Sequence, residues 1–223
     1  MQRLLGDQLP RLVMFDLDGT LLDSVPDLAA AVDSMLLQLN LPAAGIDKVR
    51  TWVGNGARTL VERALLSQRP QPATPGDYEA ALALFMQAYA DNHRFTQVYP
   101  GVFECLDWLA TRQIPLAVIT NKPQRFVGPL LEEKGLAGYF RWVIAGDTLT
   151  HQKPDPEALL HVMREAGVTP EHCLFVGDSR NDVLAARAAG VRCVAVSYGY
   201  NHGRPVAEED PDLLLDDLRQ MLP

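Results

Sequence analysis

The chain has 223 residues, 48% of them hydrophobic, which is enough for a large buried core and excludes a disordered or collagenous protein. Its 28 acidic and 20 basic residues give a net charge of -8, which opposes nonspecific attraction to nucleic acid or anionic lipid and would also repel a small anionic substrate at long range. No apolar run approaches the roughly 18 residues of a membrane span, no secretion signal opens the chain, and Cys105, Cys173 and Cys193 are odd in number with no C-x-x-C, so a cytoplasmic protein without disulfides or a zinc cage is expected.

Leu12 to Phe15 is an apolar run too short for a helix and bounded by the turn signal Asp18-Gly19-Thr20, so it reads as a buried strand. A long stretch with no buried-strand pattern follows. It reads as helices over Pro26–Leu39, Ile46–Trp52, Ala57–Ser67 and Gly76–His93, with a proline-containing loop over Arg69–Gly76. Strands then recur at Pro115–Thr120, Arg141–Gly146, Cys173–Gly177 and Val191–Ser197, alternating with helices near Val102–Arg112, Arg125–Lys134, Pro156–Ala166 and Asn181–Ala189. Asp212 to Leu222 is expected to add a short edge strand and a last helix. Parallel neighbours require crossover connections, so the pattern predicts an α/β fold with a doubly wound parallel sheet. Residues 1–24 and 98–223 would form this core and residues 25–97 an inserted α-helical cap domain.

Ligands of an open parallel sheet bind beyond the carboxyl ends of its strands. Asp16, Asp18, Gly19 and Thr20 follow the first predicted strand, and Thr120, Asn121 and Lys122 the second. Asp147 and then Lys153-Pro154 follow the third, and Asp178, Ser179, Asn181 and Asp182 the fourth. Converging carboxylates resist joint ionisation unless a cation compensates them, and an all-oxygen set beside an anion site suits Mg2+. Lys153 adds a point charge and Thr120 a hydroxyl for phosphoryl oxygens. Phosphoryl transfer needs positioning, charge neutralisation and an in-line nucleophile, which a carboxylate can be. Asp182 has a second reading as a helix N-cap residue, His151 reads as a surface loop histidine, and Pro123 as a helix-start proline.

Asp16-Leu17-Asp18-Gly19-Thr20-Leu21, Thr120, Lys153-Pro154 and Gly177-Asp178-Ser179-Arg180-Asn181-Asp182 resemble, in order and at matching strand ends, the four motifs of the haloacid dehalogenase superfamily. The insert resembles that superfamily's helical cap between the first and second motifs. The resemblance implies that Asp16 is a nucleophile attacking phosphorus and that Asp18 is the acid for the leaving oxygen and later the base for water. It also implies that the Asp16 and Asp178 carboxylates and the Asp18 backbone carbonyl hold Mg2+. Thr120 and Lys153 would hold the phosphoryl oxygens, Asn121 would contact substrate, and Asp182 would orient Lys153 or a metal-bound water. The acid at Asp18 argues against carbon–halogen cleavage.

Within the insert, Trp52 to Arg58 forms a Gly-rich turn running into a helix, with Thr59 where a dinucleotide fingerprint would need its third glycine. Gly54, Asn55 and Gly56 could present backbone N–H groups to an anion and Arg58 a guanidinium fork, although a plain interhelical turn reads equally well. V-G-N-G at Val53–Gly56, I-T-N-K-P at Ile119–Pro123 and Y-G-Y-N at Tyr198–Asn201 resemble the bacterial phosphoglycolate phosphatases of the superfamily. That implies a small phosphorylated metabolite carrying a carboxylate, with no nucleic acid or membrane partner. A sugar-phosphate phosphatase or phosphomutase using the same Asp16 and Asp18 stays open. A phosphonate hydrolase would need a Schiff-base lysine in the insert, where Lys48 stands alone on an expected exposed turn. A receiver-like phosphoprotein would use Asp147, but it would lack the insert.

Overall fold

The computed structural model describes residue 5 and residues 8–69, 73–90 and 94–223. Strand β1 (Leu12–Phe15) is buried at every position. The two-residue strand β2 (Leu22–Asp23) leads into helices α1 (Val25–Gln38), α2 (Ile46–Trp52), α3 (Gly56–Gln68) and α4 (Pro75–Ala90), and β3 (Gln97–Val98) follows them. The chain then alternates: α5 (Val102–Thr111), β4 (Leu116–Ile119), α6 (Gln124–Glu133), β5 (Trp142–Ile144), α7 (Glu157–Ala166), β6 (Cys173–Gly177), α8 (Arg180–Ala189), β7 (Arg192–Val196) and β8 (Leu213–Leu215). No described helix is long and apolar enough to cross a membrane.

Six strands form one parallel sheet in the order β5-β4-β1-β6-β7-β8, so the expected α/β doubly wound fold is what the chain adopts. β1 has Val13 beside Leu116 of β4 on one side and Leu12 beside Cys173 of β6 on the other. From β1 the chain winds outward through β4 and β5, then returns to β6 and winds the other way. The reversal leaves a crevice at the carboxyl ends of β1 and β6.

Side chains alternate across a strand, and both faces of this sheet are covered. Val13, Phe15, Val118, Leu174 and Val176 pack with residues of α5 and α6. Leu12, Met14, Ile119 and Phe175 pack with residues of α7 and α8. Cys105, Cys173 and Cys193 are free and buried in these layers, as their spacing led us to expect. A third cluster joins Val32, Met35 and Leu36 of α1 to Val61 and Leu65 of α3 and Phe85 and Tyr89 of α4, and it includes Phe126 of α6 and Tyr200.

The structure departs from the expectations at the element ends. Pro75 belongs to α4, which begins one residue before the expected Gly76, because Asp77 N–H donates to Thr74 Oγ1 and Thr74 N–H to an Asp77 carboxylate oxygen, both at 3.2 Å. This reciprocal cap starts the helix at a proline whose missing N–H has no helical partner to lose. Pro70 and Pro72 of the expected loop, and residues 91–93 of the expected fourth helix, lie outside the described residues. After β8 the expected last helix is only a 3-10 turn, Leu218–Met221.

No strand is expected from the residues between β1 and β4, yet β2 and β3 pair antiparallel, with Leu22 opposite Val98 and Asp23 opposite Gln97. This ribbon ties together the two connections that flank α1–α4. Tyr200 fastens it: its hydroxyl accepts from Ser24 N–H at 2.9 Å and Val25 N–H at 3.2 Å, and donates to Asp23 Oδ1 at 2.9 Å. It thereby satisfies the start of α1, where the Ser24 side chain makes no cap bond. Tyr200→Phe is expected to cost about 1–3 kcal/mol in urea denaturation, because buried N–H groups lose their acceptor. A cost near zero would show that the hydroxyl does not hold this junction.

Candidate active site

The carboxyl ends of β1 and β6 bring four dispersed segments together. Asp16 is fixed at the end of β1 by its N–H, which donates to Val176 O at 2.8 Å. The chain then turns at Gly19, where φ is +96° and any Cβ would collide with the Asp178 carboxylate. Asp178, at the end of β6, accepts from Thr20 Oγ1 at 3.0 Å and from Tyr200 N–H at 2.7 Å, one on each oxygen.

Asp182 lies in the first turn of α8 and divides its two oxygens between two tasks. One accepts from Asp178 N–H (3.2 Å), Ser179 N–H (3.0 Å) and Ser179 Oγ (2.7 Å), closing a capping box with Ser179. The other accepts from Lys153 Nζ at 2.7 Å. The helix-cap reading and the lysine-orienting reading of this residue therefore hold together. Lys153 Nζ also donates to Asp16 Oδ1 at 2.6 Å. Its backbone is clamped by Asn121, whose side-chain oxygen accepts from Lys153 N–H at 3.0 Å and whose amide donates to Lys153 O at 2.9 Å.

Burial pushes the Asp16 carboxyl up to about 7, against the pull of Lys153 and with the help of Asp182. Burial, then Asp182 and Asp16, holds Asp178 well above the usual carboxylate range. Burial acts downward on Lys153, but Asp16 and Asp182 outweigh it and raise its affinity for the proton. Asp16, Asp178 and Asp182 present oxygens within 4.8 Å of one another around a single ammonium, an excess of buried negative charge that a divalent cation would relieve. The donor set is oxygen only, which fits a hard cation such as Mg2+. Within this set the Asp182 oxygens are already engaged by Lys153, Ser179 and the Asp178 N–H, whereas those of Asp178 carry one hydrogen bond each.

Helices α1, α3 and α4 and the turn before α3 cover this group and leave a cavity of about 50 Å3, far below the roughly 300–1,000 Å3 of pockets for drug-sized ligands. Asp16, Asp18, Thr120, Asn121, Lys122 and Lys153 line it from the sheet side, and Gly54, Gly56, Leu60, Phe85 and Tyr89 from the helices. The Gly54 carbonyl accepts from the side-chain amides of both Asn121 and Asn181 at 3.0 Å, which seats the Gly-rich turn on the sheet. The side chain of Asn121, a residue expected to bind substrate, is thus engaged with Lys153 and Gly54.

Two expected cap residues are not at the cavity. Arg58 faces solvent, its side chain 70% exposed and 3.3 Å from Glu79, because the turn of α3 past Gly56 carries it to the outer side. Asn55 does not line the cavity either and accepts from Arg63 Nη2 at 2.8 Å. His151 is exposed beside Glu157, Lys48 is exposed, and Asp147 is an exposed acceptor for Gln124 N–H at the start of α6. The placement of Asp147 opposes the receiver-like reading.

Two partners were not legible beforehand. Lys122 Nζ contacts Asp18 Oδ1 and Oδ2 at 3.0 and 3.2 Å and donates to the Tyr89 hydroxyl at 2.5 Å. Burial lowers the proton affinity of Lys122, but Asp18 and Tyr89 raise it more. Tyr89 stacks on Phe85 four residues earlier, a spacing indistinguishable in sequence from ordinary helix core.

Residues 13–196 match the family of haloacid dehalogenase-like hydrolases. The chain belongs to this family. It is 65% identical over 217 residues to phosphoglycolate phosphatase 1 of Pseudomonas aeruginosa, covering 97% of this chain and 80% of that protein. It is 60% identical over 223 residues to the phosphoglycolate phosphatase of Pseudomonas putida, covering 100% of this chain and 82% of that one. Its fold matches a predicted phosphoglycolate phosphatase from Haemophilus somnus with a TM-score of 0.92 and 38% identity, over 95% of this chain and 96% of the other. In this member of the haloacid dehalogenase-like hydrolases, Lys153→Met would leave Asp16 and Asp182 as buried carboxylates with no counter-ion. The expected cost is about 3–5 kcal/mol in chemical denaturation, and a loss below 1 kcal/mol would contradict the shared ion pair.

Proposed function

We propose that the protein is a cytoplasmic, Mg2+-dependent phosphatase that hydrolyses 2-phosphoglycolate to glycolate and inorganic phosphate. The observation that carries the reaction type is the Asp16 carboxylate in a small cavity, held by Lys153 with Asp18 in the same wall. The names of relatives at 60% and 65% identity support the substrate.

In this reading an Asp16 oxygen attacks phosphorus, the bond from phosphorus to the ester oxygen breaks, and Asp18 gives that oxygen its proton. Asp18 then takes a proton from the water that attacks the phosphorylated Asp16, and phosphate leaves. Lys153 and Thr120 hold the phosphoryl oxygens, and Asp182 and Asn121 keep Lys153 aimed. Asp16, Asp178 and the Asp18 backbone carbonyl would hold Mg2+, which would neutralise charge on the phosphoryl group. Residues 25–97 would act as a cap domain on a core of residues 1–24 and 98–223, with the β2–β3 ribbon as the junction about which the cap opens.

Purified protein should release phosphate from 2-phosphoglycolate with kcat/KM well above that for other phosphomonoesters. A chelator should abolish turnover and added Mg2+ restore it, and Asp16→Asn should lower kcat at least about 1,000-fold with the fold intact. Equal or lower activity toward 2-phosphoglycolate would remove the substrate assignment, and substantial turnover by Asp16→Asn would remove Asp16 as nucleophile.

A further inference from the structure

A substrate with two anionic ends needs two cationic partners when it is closed away from water, since a buried carboxylate without one is costly. Among the described residues, the cationic side chains lining the cavity are Lys153 and Lys122. Lys153 is committed to Asp16 and Asp182, where the phosphoryl group reacts. The Arg58 expected for the other end faces solvent. The start of α3 brings Gly56 and Ala57 to the cavity with backbone dipoles but no full charge, and the remaining cap wall is apolar, with Leu28, Leu60 and Phe85.

Lys122 is also in the right place along the substrate. Its ammonium touches both oxygens of Asp18, the group that in the proposed reaction protonates the ester oxygen. In 2-phosphoglycolate one methylene separates that ester oxygen from the carboxylate, so the carboxylate falls on the Asp18 side of the cavity and not on the Lys153 side. Lys122 is buried and has three N–H donors. The two Asp18 oxygens can share one, Tyr89 takes a second at 2.5 Å, and a third remains to point at a ligand. Tyr89 belongs to α4, so the covering helices help to fix the direction of this ammonium.

We propose that Lys122, aimed by the Tyr89 hydroxyl, is the residue that recognises the carboxylate of the leaving group and selects phosphate esters that carry one. The proposal rests on the phosphatase reading above and extends it to substrate choice. Lys122 acts on both ends of the comparison through Asp18, so the informative quantity is a ratio in which that common effect cancels: kcat/KM for 2-phosphoglycolate, and separately for 2-phospholactate, over kcat/KM for ethyl phosphate.

The wild type is expected to favour the carboxylated esters by at least about 100-fold. In Lys122→Gln the ratio should fall by at least about 30-fold, with most of the change in the carboxylated substrate, and Lys122→Arg should recover part of it. Tyr89→Phe, which removes one oxygen and keeps the ring stacked on Phe85, should lower the ratio about threefold or more and decides the matter if Lys122→Gln does not fold. A wild type that prefers 2-phosphoglycolate but whose ratio is unchanged in the variants overturns the role of Lys122 and leaves the substrate reading standing. A wild type that prefers 2-phospholactate, with a ratio that falls in the variants, overturns the named substrate and keeps Lys122. No preference for either carboxylated ester overturns both.

Discussion

Three carboxylates, Asp16, Asp178 and Asp182, are buried where the winding of the sheet reverses, and the Lys153 ammonium is shared between two of them at 2.6 and 2.7 Å. Like charges in a low-dielectric site repel, so this arrangement depends on the donors that the fold supplies to the crowded oxygens. Thr20 and the Tyr200 N–H serve Asp178, and Ser179 serves Asp182. The absence of side chains at Gly19, Gly177 and Gly199 lets the backbone approach, since a Cβ at each would collide with Asp178 or Asp182. Residues far apart in the chain meet because β1 and β6 are neighbours in space and not in order.

The same economy explains how an acidic protein can receive an anion. A net charge of -8 repels phosphate at a distance, but screening limits that field to about 10 Å at ordinary ionic strength. Inside the cavity the local balance differs. Lys153 and Lys122 are two of only four lysines in the chain, and both line the cavity. Lys122 bridges Asp18 to Tyr89 of α4, while Gly54 accepts from Asn121 and Asn181, so the helices that cover the site are joined to its charged groups. Closure and charge organisation are thereby linked in one set of contacts.

Much of this was legible in the residues. The core strands are continuous apolar runs ending in polar motifs, and β6 spans Cys173–Gly177 as that pattern predicted. The β2–β3 ribbon was not legible, because two residues per strand show no period and only tertiary pairing defines them. Asp182 could be read as cap or as lysine partner, and geometry shows it is both because its two oxygens face different ways. Arg58 misled for the opposite reason. A helix start marks an end suited to anions, but the packing of α3 against α1 and α4 sets which side of the helix faces in. Tyr89 and Tyr200 were hidden since a buried tyrosine reads as core until its hydroxyl partner is seen.

The account depends most on Asp16 carrying the phosphoryl group while Lys153 holds it. Acid quenching of the enzyme during turnover of 2-phosphoglycolate, followed by borohydride reduction and peptide mass spectrometry, would reveal an acyl phosphate as a carboxylate reduced to an alcohol. The account predicts that reduction at Asp16 and at no other carboxylate. Reduction at Asp147 or Asp178, or none at any position under conditions where phosphate is being released, would contradict it.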